Sequence, residues 1–194
     1  MKVLYVYCHP LPESFHGALR AAALSGLSQA GHAIDLCDLY AEEFDPVLSP
    51  DARRNYDDVS RNRTGVESYV DRLQQAEALV VQFPTWCFGP PAMLKGFFDR
   101  VLMPGVAFDL SDPARVRPLL RNIKRLAGIV TYGRPRLMAW RLGDPPRKVV
   151  TRYIGWFIAK GAPIDYLALY HLNVASDRQR AGFIAGVKSA MARF

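Results

Sequence analysis

Five short runs of the chain are apolar at nearly every position, and most are followed by segments whose apolar residues recur every three or four positions. A continuous apolar run suits a strand buried on both faces, and the longer spacing suits a helix with one face on a core. Lys2–Cys8, rich in Val and Tyr, is the first run. Ser14 then caps a predicted helix to about Gln29, with Phe15, Leu19, Ala23 and Leu27 in one stripe and Gly31 as its stop. His32–Cys37 reads as a second strand, and a long polar stretch with Pro46 and Pro50 follows through Arg63. A helix over Val66–Gln75 leads into Ala78–Phe83, the strongest strand pattern in the chain.

Prolines 84, 90 and 91 then mark a turn and a helix start. That helix carries Met93, Leu94, Phe97, Phe98, Val101 and Leu102 on one face, and Lys95, Asp99 and Arg100 on the other. A fourth strand over about Arg125–Thr131 runs into a basic loop, Tyr132–Arg147. A helix over about Lys148–Lys160, a fifth strand at Ile164–Leu169 and a last helix from a Ser176 cap complete the pattern. The last helix buries Phe183, Ile184, Val187 and Met191.

This alternation predicts an α/β fold, a doubly wound five-stranded parallel sheet with helices on both faces, with residues 1–194 as a single domain. Such sheets bind ligands outside the carboxyl ends of their strands, where the strand order reverses. The loops starting at Cys8, Phe83 and Thr131 therefore carry the candidate chemistry. No Gly-x-Gly-x-x-Gly follows the first strand, which removes the main support for a dinucleotide-binding Rossmann fold.

Composition narrows the class further. A hydrophobic fraction of 50% and a charged fraction of 22% are those of an ordinary globular protein. No apolar run reaches the roughly 18–20 residues of a membrane span, and Met1-Lys2 opens no signal peptide with a cleavage site. Cys8, Cys37 and Cys87 are spaced too widely for a disulfide framework or a metal cluster, so the expectation is a cytoplasmic protein without a metal. The net charge of +7 is unevenly placed: residues 1–114 balance to −6 and residues 115–160 to +11, with Asp144 the only acid of the basic segment. Such a segment is either a solvated basic face or a surface for something anionic: a phosphorylated cofactor, an acidic lipid surface or nucleic acid. No helix-turn-helix, zinc or RNA-binding signature is present, which speaks against nucleic acid.

The first loop reads Cys8-His9-Pro10-Leu11-Pro12-Glu13-Ser14-Phe15-His16-Gly17. A capped helix N-terminus offers backbone N–H groups to an anion, and His9 and the Ser14 hydroxyl add donors for a phosphate. Ser14 taken alone is a plain N-cap. The second loop, Pro84-Thr85-Trp86-Cys87-Phe88, sets two aromatics at the end of the central strand. A flavin ring needs such a flat apolar bed, with N–H groups aimed at the edge where negative charge builds on reduction. The rival reading has the same aromatics plug the sheet edge or an oligomer interface. Cys87 reads as packing, since no resolving cysteine lies near it.

His9 with Ser14-Phe15, the run Gln82–Gly89 and Lys95-Gly96-Phe97-Phe98-Asp99-Arg100-Val101 together resemble the NAD(P)H dehydrogenase (quinone) family. The motifs stand in order over nearly the whole chain. The resemblance implies a flavodoxin-like fold and a flavin-dependent enzyme, an NAD(P)H oxidoreductase that passes a hydride from NADH or NADPH to a quinone or similar electrophile. It implies a phosphate loop at His9, Ser14, Phe15 and His16, and a ring bed at Pro84, Thr85, Trp86, Cys87 and Phe88. A third loop at Thr131, Tyr132 and Gly133 would border the ring's polar edge. It also implies a homodimer. The family includes ancillary flavoproteins of potassium efflux systems, so a regulatory flavin-binding subunit is the alternative. The Ala41–Arg63 excursion is long enough to cover an adenosine moiety, which favours FAD, with FMN as the alternative.

The chain departs from the family in its third loop, which has Tyr132 and Arg134 where Thr and Gly are usual. It also lacks the Tyr and His that better-known members place in the following loop. Tyr132 is the remaining candidate for a catalytic hydrogen bond. Beyond it, Val149–Ile158 spreads apolar residues over more than half of a helix circumference, too broad for packing on one side. A dimer interface would cover the excess. Arg136, Arg141, Arg147, Lys148 and Arg152 beside Leu137, Met138 and Trp140 also suit weak peripheral membrane contact. Arg134, Arg136 and Arg141 are candidates to attract the phosphates of NAD(P)H or an acidic substrate.

Overall fold

A computed structural model describes Met1–Phe194. Its strands are β1 (Lys2–Tyr7), β2 (Ala33–Asp38), β3 (Ala78–Pro84), β4 (Phe108–Asp109), β5 (Arg117–Pro118), β6 (Arg125–Thr131) and β7 (Ile164–Leu169). Five of them form one parallel sheet in the order β2-β1-β3-β6-β7, while β4 and β5 pair as a small antiparallel ribbon. The chain steps outward from β1 to β2, then returns across β1 to β3, so strand order reverses between β1 and β3. That is the place where a doubly wound sheet opens a crevice.

The pleat divides the apolar runs between two cores. Val3, Tyr5, Val80 and Ile129 pack with Leu19, Ala23 and Leu27 of α1 (Phe15–Gln29), and with Val187 and Met191 of the C-terminal helix. Leu4, Val6, Val81, Phe83 and Val130 face the other way, onto the remaining helices. Of α2 (Pro50–Arg54), α3 (Glu67–Gln75), α4 (Ala92–Val101), α5 (Arg136–Arg141), α6 (Pro145–Lys148) and α7 (Gly155–Phe157), all but α2 and α6 add side chains to this core. The last helix, α8 (Asp177–Met191), starts at a capping box between Ser176 and Gln179. Phe183 and Ile184 of α8 are only half-buried, unlike Val187 and Met191. No helix is long and apolar enough to cross a membrane.

Two expectations are corrected. The segment Tyr132–Arg147 is not a plain loop: it holds α5 and the start of α6. These helices are too short to show a period, and the prolines at 135 and 145 that start them read equally well as turns. The helix expected over Lys148–Lys160 instead begins at Pro145, winds as a π-helix over Val149–Ile154 and ends at Phe157. The Ala41–Arg63 excursion borders the crevice beside His9 at Ala41 and then lies along α4 through Asp45 and Pro46. A Cβ on Gly96 would stand 2.2 Å from the Pro46 carbonyl oxygen, so only glycine lets that segment approach. Asn62 fastens the other end, donating to the Tyr56 and Pro104 carbonyls at 3.1 and 2.8 Å.

Candidate functional site

The carboxyl ends of β1, β3 and β6 bring the three candidate loops together. Cys8 N–H donates to the Gln82 carbonyl at 3.0 Å, and Thr85 N–H to the Thr131 carbonyl at 2.8 Å. The His9 and Trp86 rings approach to 6.4 Å between centroids. Each loop keeps backbone donors free. The N–H groups of Phe15 and His16, of Cys87 and Phe88, and of Gly133 and Arg134 donate to nothing within the chain. Pairs of adjacent unpaired N–H groups form the concavities that hold anions and electron-rich ring edges.

Local chemistry explains each loop. Ser14 caps α1 by accepting from Gly17 N–H at 3.2 Å, which leaves its own hydroxyl proton for a ligand. A Cβ on Gly17 would stand 1.8 Å from the Pro12 carbonyl oxygen, so the tight turn demands glycine. His9 Nδ1 lies 3.1 Å from the Leu11 N–H and 3.2 Å from the Leu11 carbonyl oxygen, which fixes the ring over the loop and leaves Nε2 without a partner in the chain. In the second loop Cys87 and Phe88 both take positive φ, 50° and 55°. Left-handed backbone at two successive side-chain-bearing residues is uncommon, and such strain gathers at ligand sites. Here it turns both N–H groups free and leaves Trp86 44% exposed. It also turns Cys87 outward: the thiol is exposed, correcting its reading as a packing residue.

Beneath the loops lies a polar chain inside the protein. Tyr5 OH donates to Gln82 Oε1. Gln82 Nε2 donates to the His16 carbonyl at 2.7 Å and to His16 Nδ1 at 3.1 Å. With Nδ1 accepting, His16 Nε2 carries the proton and donates to Thr131 Oγ1 at 2.8 Å. The chain joins β1, β3, α1 and β6, and His16, Gln82 and Thr131 are buried. Burial, with a smaller contribution from His9, lowers the His16 pKa from 6.5 to about 3, so the ring is neutral.

A second network stands behind the third loop. Tyr132 OH donates to Asp144 Oδ1 at 2.6 Å and accepts from Tyr166 OH, while Tyr170 OH donates to Asp144 Oδ2 at 3.2 Å. The Tyr132 and Tyr170 rings stack at 4.4 Å. Burial, then the neighbouring Tyr166 and Asp144, raise the Tyr132 pKa far above the usual phenol value.

Of the residues singled out from the sequence, His9, Ser14, Phe15, Pro84, Thr85, Trp86, Cys87, Phe88 and Gly133 lie on the three converging loops. His16, Thr131 and Tyr132 belong to the same loops but turn their side chains inward. Tyr132 is fully buried with its proton committed to Asp144, so it holds the third loop in place and presents no proton to a ligand. Sequence reasoning passed over Gln82, Asp144, Tyr166 and Tyr170. Two of these carried a signal: Gln82 is the only polar residue within Ala78–Phe83, and Asp144 is the only acid within residues 115–160.

A family model described as a flavodoxin-like fold matches residues 1–181. A ribosyldihydronicotinamide dehydrogenase (quinone) of Pongo abelii is 36% identical over 125 residues, covering 56% of this chain and 54% of that protein. An NAD(P)H dehydrogenase (quinone) 1 of Rattus norvegicus is 32% identical over 148 residues, 68% of this chain and 54% of its own. The chain thus spans about half the length of the curated relatives it matches. Smu.1420 from Streptococcus mutans UA159 superimposes with a TM-score of 0.87 at 30% identity, covering 100% of both chains.

Proposed function

Given that the chain belongs to the Flavodoxin_2 family, with its flavodoxin-like fold, we propose that it is a flavin-dependent oxidoreductase that takes a hydride from NADH or NADPH and reduces quinones or similar electrophiles by two electrons. The observation that carries this reading is the set of three loops with six unpaired backbone N–H groups around an exposed Trp86. Phe15 and His16 N–H, Ser14 hydroxyl and His9 Nε2 would hold the phosphate. Trp86 and Phe88 would bed the ring, and the N–H groups of Cys87, Phe88, Gly133 and Arg134 would meet negative charge at its polar edge. The flavin, when bound, supplies the hydride chemistry. The protein orients it, and the buried His16 network keeps the first and third loops at one spacing. Both curated relatives named above carry quinone in their names, which supports the acceptor class.

A cavity of about 490 Å³ beside His9, lined also by Tyr7, Arg20, Tyr40 and Ala41, would take an adenosine moiety. It supports FAD; FMN would end at the Phe15 and His16 amides. Tyr153 and Trp156, each 46% exposed, support a homodimer that covers them. The protein would work in the cytoplasm, where its three free cysteines stay reduced. The test is the visible spectrum of the purified protein, with the released flavin weighed, beside Trp86→Gly. The wild type is expected yellow and the variant depleted of flavin. A wild type that neither carries nor takes up either flavin overturns the function, and full occupancy of the variant overturns the ring bed.

A further inference from the structure

A cavity of about 560 Å³ lies beyond the third loop, between α5, α6, the π-helix and the end of β7. Its size falls within the roughly 300–1,000 Å³ of small-molecule sites. Arg136, Arg147, Lys148 and Arg152 line it, with Trp140, Tyr170 and Asp144. Elsewhere Arg20, Arg72, Arg100, Arg117 and Arg125 each have a carboxylate partner. The four cations of the cavity have none. Its one carboxylate, Asp144, offsets at most one of the four charges, and its oxygens accept from tyrosine hydroxyls instead of pairing with the cations.

Two further features narrow what such a cavity takes. Lys148 and Arg152, four residues apart on one helical stretch, repel each other until an anion lies between them. Arg147 is held over the Tyr166 ring, its guanidinium carbon 5.0 Å from the centroid. Trp140 is 71% exposed and offers a flat face beside these charges. Cations around a recess suit a phosphate, and an open indole suits an aromatic base. The cavity also adjoins the third loop, since Tyr132 touches both Asp144 and Tyr170.

We propose that this cavity binds the phosphorylated adenosine end of the hydride donor and selects NADPH over NADH through the 2′-phosphate. The proposal rests on the reductase reading above. A lipid surface would use the same charges, but a recessed cavity fits a small ligand better than a bilayer.

Calorimetric titration with 2′,5′-ADP, 5′-AMP and inorganic phosphate tests the cavity without relying on turnover. The expected result is 2′,5′-ADP binding at least about ten-fold tighter than either other ligand, as charge-assisted bonds predict. In Arg136→Gln/Arg152→Gln, both sites exposed, that preference falls to about one and the NADPH:NADH ratio of kcat/KM falls with it. Arg152→Lys, which keeps the charge, retains most of the preference. Equal binding of 2′,5′-ADP and 5′-AMP overturns the proposal, as does inorganic phosphate binding as tightly as 2′,5′-ADP. So does a Gln variant that loses binding to phosphatidylserine vesicles with its 2′,5′-ADP affinity unchanged. If neither nucleotide is oxidised, the reductase reading fails on its own, and the titration still decides the cavity.

Discussion

Behind the first loop, Tyr5, His16, Gln82 and Thr131 form a chain that carries no charge, whereas behind the third loop three tyrosines gather around the carboxylate of Asp144. The first is buried at every member. The second reaches the wall of the basic cavity. The difference follows from the cost of desolvation. A neutral histidine can be sealed off once each of its nitrogens has a partner, but a carboxylate needs water or several donors to remain ionised. The two loops at the candidate cradle are therefore supported in different ways: one by a dry, fully satisfied lattice, the other by a charge kept at the surface. A site that must hold one ligand still and admit another has use for both.

The contrast predicts unequal sensitivity to mutation. His16→Ala is expected to destabilise the fold most, by about 3 kcal/mol, because it leaves a cavity and removes one partner each from the buried Gln82 amide and Thr131 hydroxyl. Urea denaturation measures it, and a loss no larger than that of Asp144→Asn would break the comparison. Acid should separate the regions next. The unfolded chain takes up a proton at His16 near pH 6.5, while the folded chain refuses it until about pH 3. Stability contributed by the neutral ring is thus complete above pH 6.5 and is lost as pH falls toward 3, at up to about 1.4 kcal/mol per pH unit. His16→Gln should flatten that limb of the denaturation midpoint against pH; a parallel limb would mean that the acid sensitivity lies elsewhere. The smallest effect has the opposite sign. Lys148→Gln should stabilise by about 0.3 kcal/mol by removing repulsion from Arg152, and salt should erase the gain. Thermal melts at low and high salt sharpen the point, since a gain that persists at high salt is not electrostatic.

Much of this fold was legible in local pattern. All five sheet strands follow from continuous apolar runs, the apolar face of α4 from spacings of three and four residues, and two helix starts from the capping residues Ser14 and Ser176. The β1–α1 and β3–α4 loops were legible as well, because proline, serine and aromatics cluster where two strong elements meet. Less could be read after Thr131. Helices of six and four residues leave no period, and the π-helix shifts the expected one. The inward turn of His16 had no sequence signal, since its partner Thr131 lies 115 residues away.

The amino-acid order alone determined which segments are strands and helices, because burying apolar side chains imposes a period that neighbouring residues share. It also determined where a ligand would be sought, since parallel strands expose their carboxyl ends together. Only the tertiary structure decided which members of those loops face outward. It made Tyr132 a support for its loop, gave His16 a single tautomer and left four cations of residues 115–160 unpaired around one cavity. Those outcomes depend on hydrogen bonds and charges between residues far apart in the chain, and no local period encodes them.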